Sequence, residues 1–152
     1  MKFEEIYCDI FNAAENHNIT DPFYAHCISA DLAMGKGIAK TFDKEFHIKD
    51  TLKALVPDFP RIVNWPSCFR VGHVYNIVTK ERYWHKPTNE AMQAGLFKLR
   101  DLVVKDKPEA LFIPHLGCGL DKLDWSNVKK YIMRTFSGVD VTIVACQLPE
   151  DD

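Results

Sequence analysis

The sequence alternates between short apolar runs and longer stretches in which apolar residues recur every three or four positions. The short runs are rich in β-branched and large apolar side chains, which is typical of buried strands. In the third run the side chains alternate, so Val74, Asn76 and Val78 would share one face of a sheet. The predicted strands cover residues 3–8, 23–28, 73–80, 110–113 and 139–147.

The longer stretches predict helices between these strands. Ile38, Phe42 and Phe46 repeat at helical spacing, and Thr88 is a candidate N-cap for a long helix. Two further helices are predicted at residues 48–56, where Pro57 and Pro60 would end the helix, and at residues 125–136. Strands that alternate with helices favour a three-layer α/β/α sandwich with a mixed central sheet of about six strands. We expect residues 58–72 to form an irregular insertion that packs onto this domain.

Composition narrows the protein class. The 152 residues suit a single domain, residues 1–152, and no apolar run approaches the ~20 residues that would span a bilayer. The formal charge of -2 argues against broad binding to a nucleic-acid backbone. The N-terminus lacks the features of a secretory signal, so we expect an intracellular protein, cytoplasmic or nuclear, with five reduced cysteines. The cysteine spacing shows no zinc pattern, and we expect no metal and no cofactor.

Two predicted strands run directly into Gly-x-Gly turns. Gly117 and Gly119 follow one strand, and Gly35 and Gly37 follow another. A turn of this kind lets the backbone approach an anion closely, and the N-terminus of a following helix adds unpaired N–H groups. Turns at the carboxyl ends of strands meet in one crevice of an open α/β sheet, so the pair would suit a diphosphate. The spacing matches neither the dinucleotide fingerprint nor the P-loop.

Ionisable and aromatic residues stand beside these turns. Lys80 would end the strand at residues 73–80, and Asp121 follows the second turn. From the residues alone, a solvated lysine and a capping aspartate are favoured over a catalytic pair. Residues 81–86 combine cationic and aromatic side chains, which fits either a solvated loop or the rim of a binding site.

Four ordered motifs resemble those of macrodomains, and within that fold the terminal ADP-ribose protein glycohydrolases, also described as O-acetyl-ADP-ribose deacetylases. The resemblance extends from Asp9 to the last strand. It departs from the family at Cys8, where a glycine is usual, and at His115, where an arginine is common. The motifs are residues 26–29 with 34–39, Thr79 and Lys80 with residues 85–88, residues 117–121, and Leu123 with Trp125.

The resemblance implies a role for each matching residue. Asp9 would accept a hydrogen bond from the adenine amino group, while the two turns would hold the diphosphate and the distal ribose. Lys80 and Asp121 align with the catalytic pair. The implied substrate-binding residues are Asp9, Ile10, Ser29, Met34, Gly35, Lys36, Gly37, Ile38, Leu116, Gly117, Cys118, Gly119 and Leu120.

The function implied is removal of terminal ADP-ribose from glutamate or aspartate esters on proteins, together with deacetylation of O-acetyl-ADP-ribose. A neutral Lys80 amine would attack the anomeric carbon, and Asp121 would act as general acid and base. A non-catalytic ADP-ribose reader and an ADP-ribose 1''-phosphate phosphatase stay open, and so does a less favoured Cys118 and His115 hydrolase. The expected partners are ADP-ribose, ADP-ribosylated proteins and potentially ADP-ribosylated DNA. We expect a monomer that does not bind membranes.

Overall fold

A six-stranded sheet forms the centre of the protein. The computed structural model describes residues 1–55, 58 and 62–148. The strands lie in the order β1-β6-β5-β2-β4-β3, and all neighbours are parallel except β3 and β4. The strands are β1 (Lys2–Tyr7), β2 (Phe23–Ser29), β3 (Ser67–Val71), β4 (Val74–Lys80), β5 (Ala110–Ile113) and β6 (Thr142–Gln147).

Helices cover both faces of this sheet. One apolar core joins Leu96 and Ile132 to the sheet, and the other joins Phe42 and Leu52 to its opposite face. The helices are α1 (Ala13–Asn16), α2 (Gly37–Phe46), α3 (Ile48–Leu55), α4 (Asn89–Asp106) and α5 (Trp125–Thr135). The first core therefore packs α4 and α5, and the second packs α1, α2 and α3. None of the helices in the described part of the chain is long and apolar enough to cross a membrane.

The hydrophobic pattern predicts this architecture correctly. Val74 and Val78 pack in one core while Tyr75 and Ile77 pack in the other, as the alternation along β4 indicates. The Thr88 side chain accepts a hydrogen bond from the Ala91 amide at 3.0 Å and so caps α4. The predicted three-layer sandwich with a mixed sheet of six strands is confirmed.

One prediction about the fold is wrong. Residues 58–72 were expected to be irregular, but Ser67–Val71 forms β3, which pairs antiparallel with β4. The strand is an edge strand whose pattern is obscured by the exposed Arg70, and Gly72 begins the tight turn into β4. Phe69 packs against one core and Cys68 against the other, so the strand is held by its side chains as well as by its pairing with β4. Val56, Pro57 and Pro60, which concern the end of α3, lie outside the described residues.

The parallel pairing decides where a site can form. β1, β2, β4, β5 and β6 all run in the same direction, so their carboxyl ends lie at one edge of the sheet. The residues that follow these five strands, including both Gly-x-Gly turns, are brought together there. This edge is the expected position of a ligand site in an open α/β sheet.

His26 is a fully buried histidine in β2. Asn76 uses its amide nitrogen to bond the Phe69 and Val74 carbonyls, so its Oδ1 accepts a hydrogen bond from His26 Nε2 at 2.6 Å. The imidazole also stacks on Phe42, with 4.3 Å between ring centroids. Burial lowers the pKa of His26 to about 4, although the bond to Asn76 acts in the opposite direction.

We expect His26 to lower the free energy of unfolding as the pH falls. The folded state disfavours the charged imidazole. The contribution of neutral His26 to the free energy of unfolding is therefore complete above the unfolded pKa of about 6.5, and it is lost as the pH falls toward 4. The full loss is about 3 kcal/mol. Urea unfolding at pH 7 and pH 4.5 should show a smaller loss for His26→Gln than for the wild type. An equal loss in both proteins would contradict this role.

Candidate active site

A cleft of about 1260 Å³ opens at the carboxyl edge of the sheet. All fifteen residues singled out from the sequence line it, although they come from four separate parts of the chain. Asp9 and Ile10 follow β1, and the first glycine turn follows β2. Lys80 ends β4, and the second glycine turn with Asp121 follows β5. The lining contains four lysines and two aspartates, so the cleft is positively charged in a chain whose net charge is -2.

The first glycine turn is held by Asp31. Ser29 donates its hydroxyl to Asp31 Oδ1 at 2.5 Å, and the Ala33 amide donates to the same oxygen at 3.2 Å. The turn then passes through Met34, at a φ of 45°, and Gly37, at a φ of 59°. A Cβ on Gly37 would lie 3.1 Å from Leu120 Cδ1, so this glycine also lets the two turns approach each other.

The second glycine turn is held by Gly117. Its φ of 71° is in the left-handed region, and a Cβ would lie 2.7 Å from Met92 Cε and 2.9 Å from Leu123 Cδ1. The Gly117 carbonyl accepts the Leu123 amide at 2.7 Å, which closes the turn. The fold therefore favours glycine at position 117.

The other glycine of each turn has no such requirement within the protein. Neither Gly35 nor Gly119 has a positive φ, and a Cβ on Gly119 would meet nothing within 4 Å. Both line the cleft. Small size at these two positions leaves room in the cleft rather than relieving a contact of the fold.

Lys80 and Asp121 meet inside the cleft. Lys80 Nζ lies 2.5 Å from Asp121 Oδ1, and the two side chains are only 13% and 14% exposed. The two residues are 41 positions apart in sequence. They meet because Lys80 ends β4 and Asp121 lies in the loop after β5, and both strands end at the same edge of the sheet. A partly buried amine and carboxylate in contact can exchange a proton directly.

Residues 81–86 bridge the two glycine turns; we call them the bridging loop. Its Tyr83 amide donates to Asp31 Oδ2 at 3.0 Å, and its Lys86 Nζ donates to the Leu120 carbonyl at 2.5 Å. Tyr83, Trp84 and Lys86 line the cleft. The sequence fits either a solvated loop or the rim of a binding site at these residues. Since three of them line the cleft, the loop lies at the rim of the cleft.

Asp9 and Ile10 form the end of the cleft beside β1. Asp9 is exposed and Ile10 is buried. Asp9 Oδ1 accepts the Phe11 amide at 3.0 Å, which orients the carboxylate. Cys8, which replaces the usual glycine, donates its thiol to the Asp9 carbonyl at 3.4 Å and accepts from Asn16.

Cys118 and His115 do not form a nucleophile and base. The His115 ring stacks on Trp125, with ring centroids 4.1 Å apart and planes 3° apart, and burial lowers its pKa. The Cys118 thiol donates to the Leu116 carbonyl at 3.2 Å. Burial raises the pKa of Cys118 to about 11, and the Asp124 and Asp121 carboxylates add to this effect. A thiol in this state is a poor nucleophile at neutral pH.

We expect Cys118 to resist alkylation at pH 7. With a pKa near 11, about one thiol in ten thousand is ionised at that pH, so iodoacetamide should react with it at least about a hundredfold more slowly than with glutathione. The rate should rise about tenfold per pH unit up to pH 10. Mass spectrometry of Cys118 peptides measures both. Rapid labelling at pH 7 would restore the cysteine hydrolase as a candidate.

Several residues in and around the cleft were missed from the sequence. Asp31 lies between the two recognised segments, residues 26–29 and 34–39, and its links to Ser29 and Tyr83 depend on the folded loop. Gln147 ends β6 and Leu148 follows it, and both line the cleft at the same edge of the sheet. The rule that carboxyl ends of parallel strands meet could have found this pair. Among the described residues, no group of three or more His, Cys, Asp or Glu side chains could hold a metal ion.

Comparison with known proteins identifies the family. No family model matches the chain. The chain is 36% identical over 125 residues to human ADP-ribose glycohydrolase OARD1, which covers 82% of this chain and 80% of that protein. The Bos taurus protein of the same name is 35% identical over 124 residues, with coverage of 81% and 80%.

Solved structures share the fold. The macrodomain of Mycobacterium tuberculosis DarG superposes with a TM-score of 0.79 at 23% identity, covering 95% of this chain and 97% of that chain. Thermosipho africanus DarTG, solved in complex with ADP-ribose, gives a TM-score of 0.75 at 17% identity and covers all of this chain and 43% of that chain. The resemblance found in the sequence is thus confirmed, and the chain belongs to the macrodomain family, in the branch that contains the human and bovine ADP-ribose glycohydrolases.

Proposed function

We propose that this protein is an ADP-ribose-binding hydrolase that releases terminal ADP-ribose from glutamate and aspartate esters on proteins. The single observation that carries the proposal is the contact between Lys80 Nζ and Asp121 Oδ1 within the cleft that both glycine turns line. The human relative is named an ADP-ribose glycohydrolase, which supports the same class of reaction.

The cleft suits the nucleotide part of such a substrate. The +2 lining favours a diphosphate, and Gly35 and Gly119 leave the backbone of both turns accessible to it. Asp9, at the far end, is available to accept a hydrogen bond from the adenine amino group. A ligand held at these two places would extend along the cleft past Lys80 and Asp121, so that its distal ribose reaches the pair.

In the first step Lys80 acts as the nucleophile. A bound substrate excludes water from the pair, which favours transfer of the ammonium proton to Asp121 because burial disfavours separated charges. The neutral amine then attacks C1'': the N–C1'' bond forms, the C1''–O ester bond breaks, and the electron pair leaves on the carboxylate. Asp121 donates this proton to the departing carboxylate oxygen and is left ionised for the next step.

In the second step Asp121 acts as a general base. It removes a proton from a water molecule, whose oxygen attacks C1'' as the N–C1'' bond breaks. Lys80 leaves as an amine, takes up a proton and restores the ion pair. Ring opening of the covalent adduct gives a Schiff base between Lys80 and the sugar, which borohydride reduces to a stable bond.

One further activity of the same site belongs to this proposal, and two other functions are the alternatives to it. The acetyl ester of O-acetyl-ADP-ribose would occupy the same cleft, so we include deacetylation as a second activity. An ADP-ribose reader would use the glycine turns without the ion pair, but a lysine and a carboxylate in a partly buried contact are not needed for binding alone. An ADP-ribose 1''-phosphate phosphatase is the remaining alternative.

One assay separates these activities. The protein is incubated with a glutamate-linked ADP-ribosyl peptide, O-acetyl-ADP-ribose, ADP-ribose 1''-phosphate and ADP-ribosylated DNA, and the free ADP-ribose is measured. We expect release from the peptide ester and from O-acetyl-ADP-ribose. Binding of ADP-ribose without release from any of the four would identify a reader, and release from the 1''-phosphate alone would identify a phosphatase.

A further inference from the structure

The rim of the cleft carries two exposed aromatic side chains that the fold does not use. Tyr83 is 52% exposed and Trp84 is 62% exposed, and both line the cleft. Their rings contact each other edge to face at 5.0 Å, and Trp84 contacts the His85 ring in the same manner at 5.4 Å. Neither ring belongs to the two apolar cores. Large aromatic surface held in water at the mouth of a site is typical of a binding contact.

The backbone of the bridging loop fixes where these rings stand. The Tyr83 amide is tied to Asp31 in the first turn, and Lys86 is tied to Leu120, the residue before Asp121. The Asp31 amide also donates to the Glu81 carbonyl at 3.1 Å. The aromatic pair therefore stands between the two turns and only three and four residues after Lys80. A rim anchored in this way is preorganised for a partner.

We propose that Tyr83 and Trp84 bind the acceptor side of the substrate, the peptide segment that carries the ADP-ribosylated carboxylate. This inference rests on the proposed function. When the nucleotide fills the cleft and C1'' lies at Lys80, the group attached to C1'' points out of the mouth, where the bridging loop stands. A free nucleotide has no atoms beyond C1'' large enough to cover both rings.

The charge of the rim indicates what kind of peptide fits. Lys36, Lys86 and Lys122 are exposed and line the cleft, whereas the Asp121 carboxylate is neutralised by Lys80. A segment with further acidic side chains beside the modified one complements these lysines, and its aliphatic stems can pack on the rings. The lysines form a local cluster rather than an extended track, and the chain has a net charge of -2, so a peptide fits better than a nucleic-acid backbone.

The test compares affinities and does not depend on hydrolysis. The probes are ADP-ribose, a ten-residue Glu/Gly peptide that carries ADP-ribose through a hydrolysis-resistant amide at one glutamine, and an oligothymidine that carries ADP-ribose on one base. Calorimetry gives the dissociation constants for the wild type, Trp84→Ala and Trp84→Phe. Phe97→Ala is the matched control, since Phe97 is 55% exposed on α4 and does not line the cleft.

We expect Trp84→Ala to weaken binding of the peptide conjugate at least about fivefold more than binding of ADP-ribose, with Trp84→Phe restoring most of the difference. Phe97→Ala should change neither. Equal weakening for both ligands would place the ring on the nucleotide and overturn the proposal, as would no effect at all. A larger effect on the oligothymidine conjugate would assign the rim to nucleic acid instead. Failure of the hydrolase itself would appear only in the ester assay, because all three probes measure binding.

Discussion

Replacing Lys80 with alanine should reduce hydrolysis of a glutamate-linked ADP-ribosyl peptide at least about a thousandfold while ADP-ribose binding changes by less than about tenfold. The amine is the proposed nucleophile, so its loss removes the covalent route rather than one of several contacts. The proposed contacts of the glycine turns with the diphosphate, and of Asp9 with the adenine, do not involve this amine. Initial rates of ADP-ribose release and calorimetry with ADP-ribose measure the two effects.

Lys129→Ala is the matched control for this variant. Lys129 also pairs with a carboxylate at 2.5 Å, that of Glu5, but it does not line the cleft. Its removal should leave hydrolysis within about twofold of the wild type, because surface ion pairs contribute little to stability. If Lys80→Ala retained full turnover, Lys80 could not be the nucleophile, and the mechanism would have to be abandoned.

A side chain at Gly119 should abolish ligand binding without unfolding the protein. Gly119 has a φ outside the left-handed region, and a Cβ there meets nothing within 4 Å, so the fold tolerates substitution. If the diphosphate lies against this turn, Gly119→Glu places both bulk and negative charge in its position. We expect the dissociation constant for ADP-ribose to rise at least about a hundredfold, close to 3 kcal/mol. The urea unfolding midpoint should stay that of the wild type.

Two further variants make this result specific. Met133→Glu adds the same charge on α5, at an exposed position outside the cleft, and should leave ADP-ribose affinity unchanged. Gly117→Ala should show the opposite behaviour to Gly119→Glu in unfolding, because Gly117 has a φ of 71° and close contacts to Met92 and Leu123. We expect it to lose about 1–2 kcal/mol of stability. Unchanged ADP-ribose affinity in Gly119→Glu would mean that the diphosphate lies elsewhere.

Most of the fold could be predicted from the sequence because its strands and helices have local sequence patterns. β2, β4 and β6 are short apolar runs, and α4 begins at a threonine cap, so periodicity and caps predict these elements. β3 was missed because an edge strand with one exposed arginine and a neighbouring proline lacks that pattern. Only pairing with β4, a contact between strands, identifies it.

Most residues of the cleft were identified through the macrodomain resemblance, and the sheet topology explains why they lie together. Parallel strands bring their carboxyl ends to one edge, so residues that follow the strands meet regardless of their separation in the chain. This rule explains why Lys80 and Asp121 come together across 41 positions. The distance between Lys80 and Asp121 and the position of the bridging loop could not be predicted from the sequence. The bridging loop is held by contacts between loops, which leave no periodic pattern in the sequence: Tyr83 to Asp31 and Lys86 to Leu120.

The most direct test of the account is a crystal structure of the protein with ADP-ribose bound. The account predicts the diphosphate against the glycine turns at residues 35–38 and 117–120, the adenine beside Asp9, and C1'' about 3–3.5 Å from Lys80 Nζ. A nucleotide bound outside the cleft, or one with its adenine at Lys80 and its distal ribose at Asp9, would contradict it.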